Sequence, residues 1–388
     1  MKTALPLLLL LVACGEAPIG QTSPADTLVA DAPTFLGDRA FRRASLETSL
    51  WRPELPYARA RLDTYALPKG GWDALPATVG AALVPEETPA TKAEWIALGE
   101  RVFWNLPMRW DGYLAWIAER PALWDEFGFE TDDEGALRGV VELTDARGIE
   151  RTGVTCGACH GADGVAGRPN HDLDLGAARA RYLTTRGLPT APFDTWGPGR
   201  IDVTDDDVAD PLSFPALFGV RHHQNLNRSG AILIEDNPAA LAIRFETQYI
   251  EGHSLLARPD RRLPLALAIF VLSLADEIPE ADLESEGARV FARTCGGCHD
   301  PERGFSGGLV PAEALNSDPL VAMSTRRGTG FYKTPSLLGA ADGGPYLHDG
   351  SVATMAELID GGHPYGTPLT PDDRAAVLDF VSTLRSQP

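Results

Sequence analysis

Cys156-Gly157-Ala158-Cys159-His160 and Cys295-Gly296-Gly297-Cys298-His299 are two copies of one pattern: two thiols three residues apart, with a histidine directly after. This is the spacing of c-type haem attachment, in which both thiols add across haem vinyl groups and the following imidazole reaches the iron. Both thioethers and the iron bond must fit one turn of chain, which fixes the spacing. Two other readings use parts of the pattern. A redox Cys-x-x-Cys pair has no need of the histidine in both copies. Half a zinc site would want a second histidine pair nearby.

Four of the five cysteines belong to these motifs, and the fifth is Cys14. It closes a stretch that opens Met1-Lys2, runs through Leu7 to Leu11 and ends Leu11-Val12-Ala13-Cys14-Gly15. One positive charge, a short apolar run and small residues before a cut site make a secretory signal, too short to be a permanent span. A cysteine at the cut resembles a bacterial lipobox, which implies lipid on Cys14 and removal of residues 1–13. An ordinary signal peptide with a chance cysteine is the other reading. Either way export is expected, and Gly15, not Asp, leans toward the outer membrane.

The chain of 388 residues is long enough for two cores, and 44% hydrophobic residues make it globular. No other segment could span a membrane. A net charge of −20 argues against nucleic acid and anionic lipid as partners, and favours a basic electron-transfer partner. Glu16 to Pro33 is rich in Ala, Pro, Thr and Asp and reads as a tether.

Three segments recur in the same order. Gly99-Glu100-Arg101-Val102-Phe103 and Gly287-Ala288-Arg289-Val290-Phe291 each precede a motif. Phe214-Pro215-Ala216-Leu217-Phe218-Gly219-Val220 matches Thr334-Pro335-Ser336-Leu337-Leu338-Gly339-Ala340, and fifteen residues after each proline stand Gly230 and Gly350. Leu267 to Leu274 matches Val377 to Leu384. In the second copy Thr370 can cap a helix, Pro371 suits its first position, and Asp372 and Asp373 suit its dipole. The expected fold is therefore mainly α, with two tandem haem domains at 88–278 and 279–388. A tether and mixed extension fill 14–87, an insertion separates Phe103 from Thr155, and sheet is minor.

The second copy also reads Lys333-Thr334-Pro335-Ser336-Leu337, then Pro345-Tyr346-Leu347-His348-Asp349-Gly350-Ser351. This resembles the C-terminal domain of bacterial diheme cytochrome c peroxidases and MauG-type enzymes, and with the repeat the resemblance covers about 95–388. It implies cytochrome c-like domains, a peroxidatic haem at His160 and an electron-entry haem at His299. It places His348 at the haem edge, on a propionate. It also implies a small cytochrome or cupredoxin as electron donor, peroxide or a small organic substrate, and calcium between the domains. The run Asp202 to Asp207 invites that calcium reading but lacks EF-hand spacing, so a solvated turn is the other account.

Departures accompany the resemblance. Asn227-Arg228-Ser229-Gly230 stands where the family has a tryptophan between the haems, and Trp196 is the residue that could fold back. Asn237-Pro238 is present, but the nearest downstream acid is Glu246, out of the family's place for its acid/base; a solvent-facing helix charge is its other reading. The family's methionine ligand for the second haem falls at Gly362, beside His363. His363 is thus the first candidate for the sixth position there, and Met323 the alternative. Met355 falls where the family has a core leucine. For the first haem the candidates are His171 and the pair His222-His223, which could equally bond a propionate or carbonyl. Gly161, Gly164 and Gly167 give the loop before His171 little intrinsic stiffness, so His171 could leave the iron. His253 reads as structural.

Three functions follow: a peroxidase-like oxidoreductase, a diheme electron carrier with both irons capped, or an oxygenase. In the last, Trp104, Trp110, Trp116 and Trp124 would wall a substrate site, although tryptophans at such spacing also read as helix core.

Overall fold

A computed structural model describes residues 23–66, 71–145, 147–202, 209–274, 281–326, 328–366 and 368–385. Cys14, the expected cut site, most of the acid run and the 278/279 junction lie outside them.

Helices dominate. The N-terminal three are α1 (Pro24–Gly37), α2 (Arg39–Ser49) and α3 (Pro56–Ala66). The first repeat and its insertion supply α4 (Lys92–Asn105), α5 (Gly112–Ala118), α6 (Cys156–His160), α7 (Leu175–Thr185), α8 (Ala239–Gly252) and α9 (Arg262–Ser273). The second supplies α10 (Glu286–Thr294), α11 (Leu320–Met323), α12 (Met355–Asp360) and α13 (Pro371–Ser382). Sheet is confined to small antiparallel pieces. β1 (Arg109–Trp110) and β2 (Val140–Thr144) flank β3 (Glu150–Val154), while β4 (Arg200–Ile201) pairs with β5 (Leu212–Ser213). β6 (Asn225–Leu226) pairs with β7 (Ile232–Leu233), and β8 (Leu309–Pro311) with β9 (Phe331–Lys333). No described helix is long and apolar enough to cross a membrane.

The caps were written in the sequence. Thr91 and Glu94 close a capping box on α4, and Thr370 Oγ1 accepts from Asp373 N on α13. The repeat is visible in how the helices cross. α4 lies on α9 and α10 on α13, each with a glycine at the crossing. A β-carbon on Gly99 would meet Ala266 O and Phe270 Cβ, and one on Gly287 would meet Ala376 O and Phe380 Cβ. Phe103 meets Phe270 edge-on with ring centroids 5.6 Å apart, and Phe291 meets Phe380 at 5.3 Å. Corresponding residues thus make corresponding contacts.

Two expectations need correction. The tether reading of Glu16 to Pro33 fails from Pro24 onward, where the chain is helical. Ser23 caps α1, and Ala25, Leu28, Ala32 and Phe35 are buried along one face against α9. Burying Leu28 and Phe35 contributes roughly 1.5–3 kcal/mol each, enough to hold the helix down. Nor does each repeat have a separate core. One buried cluster runs from α1 through α4, α8 and α9 to α10 and α13. A second core joins the insertion to the segment after the first motif, with Leu114, Ile117 and Phe127 packed with Leu173 and Leu175.

Candidate functional site

Each motif occupies one turn at the end of a buried helix pair. Thr155 caps α6, its Oγ1 accepting from Gly157 N at 3.2 Å. The second motif is a hydrogen-bonded turn running straight on from α10, with His299 N donating to Cys295 O at 2.9 Å. The four thiols are free. Burial pushes Cys156 and Cys159 up to about 12, so both are thiols, and the Tyr249 hydroxyl is a hydrogen-bond partner of Cys156.

Both motif histidines are presented in the same way. His160 Nδ1 lies 3.0 Å from the carbonyl of Pro215, and His299 Nδ1 lies 2.9 Å from the carbonyl of Phe305, with the Pro335 carbonyl also in reach. A carbonyl only accepts, so Nδ1 carries the proton and Nε2 the lone pair. Burial lowers both imidazoles, His160 to about 4, and keeps them neutral. A neutral imidazole with Nδ1–H on a carbonyl and Nε2 free is how a histidine is oriented toward a metal. The Pro215 segment supplies the first of these carbonyls and the turn at Phe305 the second, with Pro335 of the matching segment close by.

His160, Cys295, Cys298 and His299 line one continuous cavity of about 2050 Å³. That is roughly twice the upper end of an ordinary small-molecule pocket, so it suits two large planar groups. Two thiols and one oriented imidazole per motif are the donor set of a covalent haem; at the second motif all three line the cavity, and at the first only His160 does, with Cys156 and Cys159 behind the wall. Among the described residues no cluster of three His, Cys, Asp or Glu side chains could hold a metal ion, so neither motif finds the partners of a zinc site.

His363 lines the cavity beside His299, and burial followed by that neighbour pushes it down to about 4. Met323 does not: Val321 and Ala322 take the buried face of the single-turn α11, and Met323 is 62% exposed. Met355, read as a core position, packs against the main core and also lines the cavity. His171 also lines it, within electrostatic reach of His160, and Gly343 of the second repeat packs near its ring. The loop before it is more closed than its glycines suggest. Gly167 N donates to His160 O at 2.7 Å and Asn170 N to Cys159 O at 2.9 Å.

The pair His222-His223 is not available to the first motif. His223 has both nitrogens engaged, by Lys333 Nζ at 3.2 Å and Ser336 N at 3.0 Å. His222 lies off the cavity, its Nε2 accepting from Arg221 Nε at 3.1 Å. His348 lines the cavity, stacked on Tyr332 at 4.3 Å. Its nitrogens bond Tyr332 OH at 3.0 Å and Ser317 Oγ at 3.2 Å, so its polar atoms already have protein partners. His253 bonds Pro107 O through Nε2 at 3.0 Å and braces Trp110.

Glu246 is in neither place the sequence suggested. It is 0% exposed and off the cavity, 3.1 Å from Arg261 Nε. Arg261 and Arg42 also grip Asp73, tying α2 to α8 and α9. Burial raises the Glu246 carboxyl against the pull of Arg261. Among the described residues the acids lining the cavity are Asp202 and Glu251. Of the insertion tryptophans only Trp110 faces it. Trp104 packs on Gly157 and Gly161, Trp116 beside Tyr182, and Trp124 bonds Ile117 O. Trp196 folds back into the cavity wall, buried, its indole N–H without a partner among the described residues.

Sequence reasoning missed Arg228 and Lys333 as cavity cations. A signal existed for Lys333: it is one of four lysines, and it follows the apolar pair Phe331-Tyr332.

No protein-family model matches the chain, and no curated protein does. Solved structures that match the chain include two of low identity. A MauG-like protein associated with microbial copper homeostasis is 16% identical with a TM-score of 0.43, over 78% of this chain and 92% of that one. Hydrazine synthase of Kuenenia stuttgartiensis is 16% identical with a TM-score of 0.37, over 78% of this chain and 95% of that one.

Proposed function

We propose that the chain is an exported oxidoreductase holding two c-type haems, of the diheme peroxidase and MauG kind, lipid-anchored through Cys14. The observation that carries the reading is the matched presentation of His160 and His299, each Nδ1 on a carbonyl, on one shared cavity. Cys156, Cys159 and His160 would hold one group, and Cys295, Cys298 and His299 the other. Such haems supply one-electron redox chemistry and, where an axial position is open, reaction with peroxide.

The protein's own part is to orient and to shield. The Pro215 and Phe305 carbonyls fix the imidazole tautomers. His363 is the candidate sixth ligand at the second motif, and His171 the candidate at the first. The second motif is assigned to electron entry from a small cytochrome or cupredoxin, because Tyr365 at its edge is 59% exposed and near Cys298. The first motif is assigned to peroxide or a small organic substrate. Proton movement there falls to Asp202 or Glu251, the acids within the cavity.

The electron-carrier reading is favoured by one observation: Glu246 is locked to Arg261 outside the cavity. One experiment separates the two. A half-reduced sample of the enzyme should show a high-spin species that binds cyanide and is oxidised by stoichiometric peroxide. A half-reduced protein that stays low-spin and ignores peroxide is a carrier.

A further inference from the structure

Lys333, at the end of β9, meets the first repeat at His223. Its Nζ lies 3.2 Å from His223 Nδ1, and Ser336 N lies 3.0 Å from His223 Nε2. A backbone N–H only donates, so Nε2 must carry the lone pair. His223 is 6% exposed, and burial, then Lys333 and His222, hold its pKa well below the usual value, so the ring is neutral. Its one proton is therefore on Nδ1, facing Lys333. An ammonium has three donors and no acceptor, whereas an amine has a lone pair. The contact is a hydrogen bond only when Lys333 is uncharged.

The surroundings agree. Burial, then the like charge of Arg228, pushes Lys333 down to about 7. Arg228 is half-buried, with Nη2 donating to Ser213 O at 2.7 Å and to Ser213 Oγ at 2.8 Å. The groups facing this corner are His222, His223 and Arg228, with Asp349 acting on Arg228. Lys333 and Arg228 both line the cavity.

We propose that Arg228 and Lys333 form a carboxylate-binding site in the cavity wall, where Lys333 rests as an amine on His223 and takes up a proton when a carboxylate docks. The step balances. The carboxylate brings one negative charge, water supplies one proton to Nζ, the His223 Nδ1–H···Nζ bond breaks, and a charge-assisted pair replaces it. The carboxylate is carried either by a resident tetrapyrrole, which rests on the proposed function, or by a small acid from solution, which does not.

The chain has four lysines, Lys2, Lys69, Lys92 and Lys333, so acetylation by acetic anhydride can be followed at each by peptide mass. Purified full-length protein is labelled across pH 6–10, with and without acetate, with Lys92 as reference. If the acid is diffusible, Lys333 reacts with a midpoint near 7 and acetate slows it roughly tenfold at pH 8. Arg228→Gln then removes the acetate effect. If the carboxylate is resident, Lys333 is protected whether or not acetate is present, and Arg228→Gln restores reactivity; Arg228→Lys, which keeps the charge, gives a partial effect in either case. The proposal is overturned if Lys333 reacts in wild type regardless of acetate. It is equally overturned if Lys333 stays unreactive in wild type and in both Arg228 variants while Lys92 is modified. The acetate-sensitive outcome stands even if no covalent haem is found, so failure of the two ideas is distinguishable.

Discussion

A β-carbon on Gly99 would stand 2.2 Å from the carbonyl oxygen of Ala266, so α4 and α9 touch backbone to backbone. The corresponding approach of Gly287 to Ala376 O is looser, at 2.7 Å. Neither neighbour is a flexible side chain that could give way. Gly99→Ala should destabilise by about 1–3 kcal/mol and Gly287→Ala by less, as overpacking does. Thermal unfolding of the two variants checks the order, and an unchanged Tm in Gly99→Ala would contradict the crossing.

His363 shares the cavity with His299, while Met323 points to solvent. His363→Gly should convert the second haem from low-spin to high-spin without altering the first, and Met323→Gly should change neither. EPR of the resting protein reads both. A spectral change in the Met323 variant alone would reverse the assignment.

Glu246 is buried against Arg261, with Arg258 and Arg42 close by. Removing one partner of a buried ion pair strands the other, at a cost of about 3–5 kcal/mol. Glu246→Ala should therefore lower stability strongly and leave peroxide reactivity per folded molecule unchanged. Loss of reactivity at full stability would restore the acid/base role.

How much of this was legible in the sequence differs by element. The motifs, the α13 cap and the repeat could be read because they depend on local spacing and on matching glycines. α1 was misread: its Pro, Ala and Asp content suggested a tether, while Leu28, Ala32 and Phe35 at helical spacing, behind Ser23-Pro24, carried the contrary signal. The burial of Glu246 was not legible, because its partners Arg261, Arg42 and Asp73 are distant in the chain. His223 was recognisable as polar and cavity-facing, but its partners Lys333 and Ser336 belong to the other repeat, and only the fold brings them together.

Burial, then Arg221 and Arg303, lowers His222 to about 4, and burial also holds His223 well below the usual histidine value. A base with a depressed folded pKa is stabilising in its neutral form. Between the ordinary histidine value of about 6.5 and the folded value, the unfolded chain binds more protons. Stability from His222 is thus fully present above pH 6.5 and is lost as pH falls toward 4. Urea unfolding midpoints should drop across that window, and His222→Gln should flatten the drop.

Denaturing mass spectrometry of the purified full-length protein measures directly whether both motifs carry covalent haem. Two haem additions are expected, falling to one in Cys156→Ala/Cys159→Ala and to one in Cys295→Ala/Cys298→Ala. A wild-type mass with one addition or none would contradict the assignment of haem to both motifs.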